Sequence, residues 1–287
     1  MYIAVVMLIG GLFTIFYLRS AREDAEEEVH KRKVLNPAVP MSPSVERWLV
    51  EAELRETRYV GVGGLWGFML GAAWPGASDA LRDAPAYWLA SGVCGACGTV
   101  LGSLLAAHRT QPLRDGSVRV AEVRRRVLSD YVGLWGRAGL LATPALTCGA
   151  LSIAVGLDAH VAGSTATKLV VVIATALVVT VAAPIVARAL LTRPLGSNGP
   201  EGAYWHHTMV QENVNRLARL SLVTASLSAL VAVYYTALNA ASLPDALLSS
   251  SAALLLAWCA VTLSLAVARK ATASAVKASS MHPGAAR

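Results

Sequence analysis

Uncharged and charged stretches alternate regularly along the chain. Seven runs, at 1–18, 59–77, 87–107, 138–157, 169–187, 220–240 and 246–268, contain no Asp, Glu, Lys, Arg or His. A bilayer core of about 30 Å takes about twenty apolar residues at 1.5 Å each, so each run is long enough to span it. A soluble protein with seven such runs would keep almost no polar face for water. The pattern predicts an all-α, polytopic integral membrane protein of seven transmembrane helices.

The intervening segments have their own periodicity. In "VRVAEVRRRVLSD" and the residues after it, Val120, Val123, Val127, Tyr131 and Leu134 recur at spacings of three and four, which makes one apolar stripe. Arg119, Arg124, Arg125 and Arg126 fall mostly off that stripe, and Tyr131 and Trp135 stand at its membrane end. This predicts a basic amphipathic helix in the headgroup layer. A second segment, "SPSVERWLVEAELRETR", begins with Ser42 in the N-cap position, Pro43 at the first helical position and Glu46 in the first turn. A third, "YWHHTMVQENVNRLAR", carries Val210, Val214 and Leu217 on one face. After the first run, "REDAEEEVHKRK" pairs Glu27 with Lys31 and Glu28 with Arg32 at i, i+4, so span 1 is expected to continue as a solvated helix to Asn36-Pro37. "NPAVPMSP" is then a linker.

These elements divide the chain into a leading helix and three hairpins. Transmembrane helix 1 occupies 1–18, and 19–58 holds the charged helix, Pro-rich linker and amphipathic helix. The hairpins are 59–107, 138–187 and 220–268, separated by 108–137 and 188–219 and followed by a basic tail at 269–287. Their starts at 59, 138 and 220 lie 79 and 82 residues apart, and "YVGVGGLWG" at 59–67 echoes "YVGLWG" at 131–136. "TQPL" at 110–113 likewise echoes "TRPL" at 192–195. Interface composition explains these echoes as well as an internal repeat does.

Charge sets the orientation. With the N-terminus outside, the inner segments hold 8, 7, 4 and 4 basic residues, against Arg82 and Lys168 alone in the outer loops. The C-terminus is then cytoplasmic. The first run has no preceding basic residue, and its positive charges follow it, so a retained span is expected in place of a cleaved signal. The net charge of +7 thus reflects orientation before it reflects any nucleic-acid partner, and no nucleic-acid motif accompanies it. The 20 arginines against 5 lysines suggest a GC-rich bacterial genome, so the expected location is a bacterial inner or plasma membrane.

Candidate chemistry is sparse. Gly63, Gly67 and Gly71 step by four in span 2, and Gly98 and Gly102 follow in span 3. Such small residues let helix backbones approach closely, within one chain or through a homo-oligomer. Cys94 and Cys97 form a CxxC deep in a span, where packing explains them better than thiol chemistry, and Cys148 and Cys259 also fall in spans. His206, His207 and Glu212 lack metal-ligand spacing and are read as an interfacial helix start. No phosphate-binding, dinucleotide-binding or nucleophile-elbow motif occurs. No catalytic, cofactor-binding or metal-ligating residue is therefore assigned, and no enzyme is expected.

The expected function is that of a scaffold, assembly or regulatory component acting at its cytoplasmic face. Its partners would be anionic lipid headgroups at the inner face and other proteins. The alternative is a transporter or channel for a small neutral solute, without ion coupling. Such a pathway would be lined by Thr224, Ser226, Ser228, Asn239, Ser249, Ser250 and Ser251, with Pro144 and Pro184 marking broken helices. Ion-coupled carriers retain titratable groups within the membrane despite a cost of roughly 2.5–3.5 kcal/mol each, and these spans hold none.

Overall fold

In the computed structural model, residues 2–36, 39–73, 84–109, 134–160, 164–192 and 200–258 are described, and they form helices without a strand. In chain order these are α1 (Tyr2–Leu35), α2 (Pro43–Ala73), α3 (Ala84–Arg109), α4 (Leu134–His160), α5 (Ser164–Thr192), α6 (Pro200–Leu238) and α7 (Asp245–Trp258). A short 3-10 turn at Ala240–Ser242 joins α6 to α7. The described fold is thus all-helical. Among the described residues four helices, α3 to α6, are long and apolar enough to cross a membrane. The arginine-rich segment at 118–130, Cys259 and the basic tail lie outside the described residues.

The charged segments before and after the apolar runs are continuous with them. α1 runs unbroken to Leu35, as its i, i+4 pairs predict, and Lys31 Nζ lies 2.7 Å from Glu27 Oε1. Pro43 opens α2, where its missing N–H and fixed φ suit the first turn, and the Glu46 N–H donates to the Ser42 carbonyl at 2.9 Å. The 42–58 and 204–219 segments do not lie apart as surface helices. They are the first halves of α2 and α6. At 39 residues α6 is about 58 Å long, roughly twice the hydrocarbon thickness, so its charged half must project beyond the apolar layer. Pro144 and Pro184 sit inside unbroken helices, so neither splits its span.

Two cores result. The larger one joins α3 to α7, with Val93, Leu140, Ile173, Val214 and Leu254 among its buried residues. Several of its buried hydroxyls donate within their own helix or to a neighbouring one. Thr147 donates to the Thr143 carbonyl at 2.9 Å, Ser228 to the Thr224 carbonyl at 2.9 Å, and Thr180 to the Thr147 hydroxyl at 3.4 Å. Thr224 and Ser228 are fully buried, whereas Ser249 and Ser250 are exposed. The smaller core gathers Val29, Val45, Leu49 and Trp205 at the charged ends of α1, α2 and α6.

Helices α2 and α3 pack antiparallel along the glycine line. A Cβ on Gly67 would overlap the Cys94 carbonyl oxygen and come within 3.2 Å of Gly98 Cα. At the next step, a Cβ on Gly71 would lie 2.9 Å from both Ser91 Cα and Cys94 Cβ. Where lipid removes the hydrophobic drive between helices, such backbone contact supplies the dispersion energy that holds them. The seam closes within one chain. Cys94 and Cys97 belong to it, both free, with Cys97 buried. Ala72, one step off the glycine line, is itself buried and would not tolerate enlargement either.

The seam predicts a position-specific cost. Gly67→Ala should destabilise the detergent-solubilised protein by about 1–3 kcal/mol, because a methyl group must push the two helix backbones apart. Gly11→Ala in α1, where a Cβ meets nothing within 4 Å, should leave the melting temperature unchanged or raise it. Equal melting temperatures for the two variants would remove the seam from the account.

Candidate functional site, a buried ion chain at the charged end of the bundle

The charged halves of α1, α2 and α6 meet through five ionisable side chains. Glu53 occupies the centre. Its Oε2 accepts from Arg32 Nη2 at 2.7 Å, and its Oε1 accepts from Arg216 Nη2 at 3.3 Å. Arg32 Nη2 also lies 2.7 Å from Glu212 Oε2, and Arg216 Nη1 lies 2.7 Å from Glu56 Oε1. The result is one alternating chain, Glu212–Arg32–Glu53–Arg216–Glu56, in which each arginine touches two carboxyls. Arg32, Glu53 and Glu56 are buried, with relative exposures of 6%, 5% and 4%. Glu28 stands at the edge, 3.8 Å from Arg32 Nε, outside hydrogen-bonding distance.

Local helix geometry explains why these residues meet. Arg32 continues the buried face of α1 formed by Ala21, Ala25 and Val29. Glu56 continues the face of α2 formed by Val45, Leu49 and Ala52. Both charges therefore sit where the 3.6-residue period calls for an apolar side chain. On α6, Trp205, Met209 and Asn213 lead along the helix to Arg216 on the side facing α1 and α2.

The apolar layer beside the ion chain holds the three helices in register. Trp205 is 1% exposed and donates its Nε1–H to the Pro40 carbonyl at 3.2 Å. His206 stacks on Trp48 with ring centroids 5.7 Å apart. Tyr204 donates to Asn36 Oδ1 at 3.3 Å, Lys33 pairs with Glu46 at 3.0 Å, and the Ser42 N–H donates to the Glu201 carboxylate. The linker between α1 and α2 is thus fastened to the start of α6. Together these elements form a compact charged head on the helical bundle.

Two carboxyls of the chain are hard to ionise. Burial pushes the Glu56 carboxyl up from its ordinary value to about 7, with Glu53 adding to the rise and Arg216 opposing it. Burial also raises Glu212, against the pull of Arg32. With two guanidiniums facing three carboxyls, a proton held on Glu56 near neutrality balances the cluster.

The residues singled out from sequence fare differently. Glu212 joins the ion chain, whereas His206 serves as a stacking partner. Cys94 and Cys97 lie in the glycine seam, remote in sequence and in fold from the head. Among the described residues no group of three or more His, Cys, Asp or Glu side chains is placed to hold a metal ion. The arrangement can therefore fasten helices and exchange a proton near neutral pH. Comparisons with protein-family models, with curated proteins and with solved structures find no match to this chain.

The head should respond to pH with a defined sign. A free glutamate titrates near 4.5 and Glu56 near 7, so between these values the folded state holds a proton that the unfolded state has lost. That stabilisation is complete below about pH 4.5, disappears as pH rises through 7, and amounts to about 3 kcal/mol. Thermal unfolding of the solubilised protein should give a lower melting temperature at pH 8 than at pH 5.5. Glu56→Gln should remove most of this slope and leave the smaller contribution of Glu212. An unaltered slope in Glu56→Gln would exonerate Glu56.

Proposed function

We propose that this chain is a scaffold, assembly or regulatory component of a bacterial inner or plasma membrane, working at its cytoplasmic face. It crosses the membrane seven times, with its N-terminus outside and its charged head and C-terminus inside. The observation that carries this reading is the head itself. Three helices extend past their apolar segments and are fastened there by a buried ion chain, an arrangement that a protein acting only within the bilayer does not need. The basic-residue asymmetry supports a cytoplasmic position for that head. The outer loops of the seven-span arrangement, 78–86, 158–168 and 241–245, are too short to build a binding domain. Recognition of another protein, or of anionic lipid by Arg124, Arg125 and Arg126, falls to the inner face. The chain carries out no catalysis in this reading and needs no cofactor.

Two measurements test it. Single cysteines at Ala80 and Ser242, in a cysteine-free background, should react with a membrane-impermeant thiol reagent on intact cells. One at Ser117 should react only after lysis, and labelling of Ser117 in intact cells would reverse the topology. Gentle solubilisation should then recover a defined set of proteins with the wild-type chain. Glu53→Ala, which leaves two guanidiniums without their shared carboxylate, should lose that set while keeping the same labelling pattern. The reading fails if the two chains recover the same proteins, or if the purified protein in vesicles passes a neutral solute that empty vesicles exclude.

A further inference from the structure

A cavity of about 430 Å3 lies along one edge of the α2–α3 seam, within the roughly 300–1,000 Å3 typical of small-ligand sites. Tyr59, Trp66, Leu70, Leu101, Leu105 and Thr175 are among its lining residues, contributed by α2, α3 and α5. The seam glycines form its floor, where the two helix backbones meet with no side chain between them. Leu70, Leu101 and Leu105 are each about half exposed, which places the opening on the lipid-facing flank. From Tyr59 to Gly71 the groove follows twelve residues of α2, about 18 Å, close to the roughly 15 Å of one leaflet's hydrocarbon.

Its charged end is built differently. Tyr59, the last lining residue on that side, accepts a hydrogen bond from Arg109 Nη1 at 3.1 Å, and the Arg109 guanidinium lies 5.9 Å from the Tyr59 ring centroid. Arg55, one helical turn before Tyr59, donates from Nη1 to the Arg109 carbonyl at 3.1 Å. Glu51 is 3.9 Å from Arg55 and mostly solvent-exposed, too distant and too hydrated to neutralise the pair. Two guanidiniums thus stand where an apolar groove reaches the headgroup level. Guanidinium geometry matches phosphate oxygens, and Tyr59 couples the polar mouth to the apolar channel.

We propose that this groove is a binding site for one anionic phospholipid, with an acyl chain along the glycine floor and its phosphate held by Arg55 and Arg109. The site differs from the arginine-rich segment at 118–130, and it does not depend on the scaffold function proposed above. Charge complementarity selects the lipid over a second copy of the chain, whose apolar flank would leave both guanidiniums unanswered.

Native mass spectrometry of the full-length protein in detergent tests the assignment, with phosphatidylglycerol, phosphatidylcholine of identical chains, and free glycerol phosphate as probes. The wild type should retain one phosphatidylglycerol per chain with a preference of about tenfold or more over phosphatidylcholine. The Arg55→Gln, Arg109→Gln double variant should lose the preference. Thr175→Trp, which fills the groove from α5, should lower retention of both lipids, whereas Val178→Trp on the exposed side of α5 should not. The proposal is overturned if the two lipids bind equally to the wild type, or if the double variant keeps its preference. It is equally overturned if glycerol phosphate binds as well as the lipid, or if Thr175→Trp splits a dimer while lipid retention stays unchanged.

Discussion

Glu53 gives one carboxyl oxygen to a guanidinium from α1 and the other to a guanidinium from α6. Three helices are thereby tied at a single point. A buried carboxylate costs several kcal/mol to desolvate, and attraction offsets that only where both oxygens are engaged in good geometry. Sliding any of the three helices by one residue would rotate a partner by about 100° and leave a charge buried alone. The ion chain therefore contributes little net stability compared with an apolar core of equal volume. What it contributes is register. That register places Trp205 against Val29, Val45 and Leu49, and it draws the start of α6 onto the linker between α1 and α2.

The same helices are held by opposite means at their two ends. Toward the apolar end, α2 meets α3 through glycine backbones, since contact between side chains there gains nothing over contact with lipid. Toward the charged end, water competes for every polar group, and directional ion pairs with an aromatic layer take over. α2 carries both devices within 31 residues, the carboxyls Glu53 and Glu56 first and the glycines afterwards. The change occurs around Tyr59. Just there the Tyr17 hydroxyl donates to the Thr57 carbonyl at 3.0 Å, and the Tyr17 ring lies against Gly61. α1 is consequently fixed to α2 at the boundary as well as in the head.

Much of this was legible in the sequence, and what was missed has a physical explanation. Uncharged runs and i, i+4 pairs report local structure, so the helical class, the continuation of α1 to residue 35, the start of α2 at Pro43 and the glycine line could all be read. The ion chain could not, because its partners are distant in sequence. Glu28 and Arg32 satisfy the spacing of an exposed helical pair, yet Arg32 directs its hydrogen bonding to Glu53, 21 residues away. A signal was nonetheless present. Arg32 follows Ala21, Ala25 and Val29 on one stripe, and Glu56 follows Val45, Leu49 and Ala52. A charge placed on an apolar stripe calls for a buried partner of opposite sign, and here the two stripes answer each other through Glu53 and Arg216. His206 shows the reverse case, a titratable side chain whose environment makes it an aromatic surface.

The basic residues at the charged end therefore do three separable things, although a count of positive charge treats them alike. Arg32 and Arg216 are committed to carboxyls and hold the head together. Arg55 and Arg109 stand at the mouth of an apolar groove, open to an anionic headgroup. Exposed residues such as Arg22 and Lys31 pair with glutamates one turn away and contribute little, because water screens them. Salt separates the groups, because a screening length of about 8 Å at physiological ionic strength weakens exposed charges and hardly reaches buried ones. Raising ionic strength should strip headgroup binding from the groove while the register of α1, α2 and α6 persists. Assembly of the head, the proposed hold on a lipid headgroup and solvated surface pairing thus draw on the same side-chain chemistry, and burial decides which task each arginine performs.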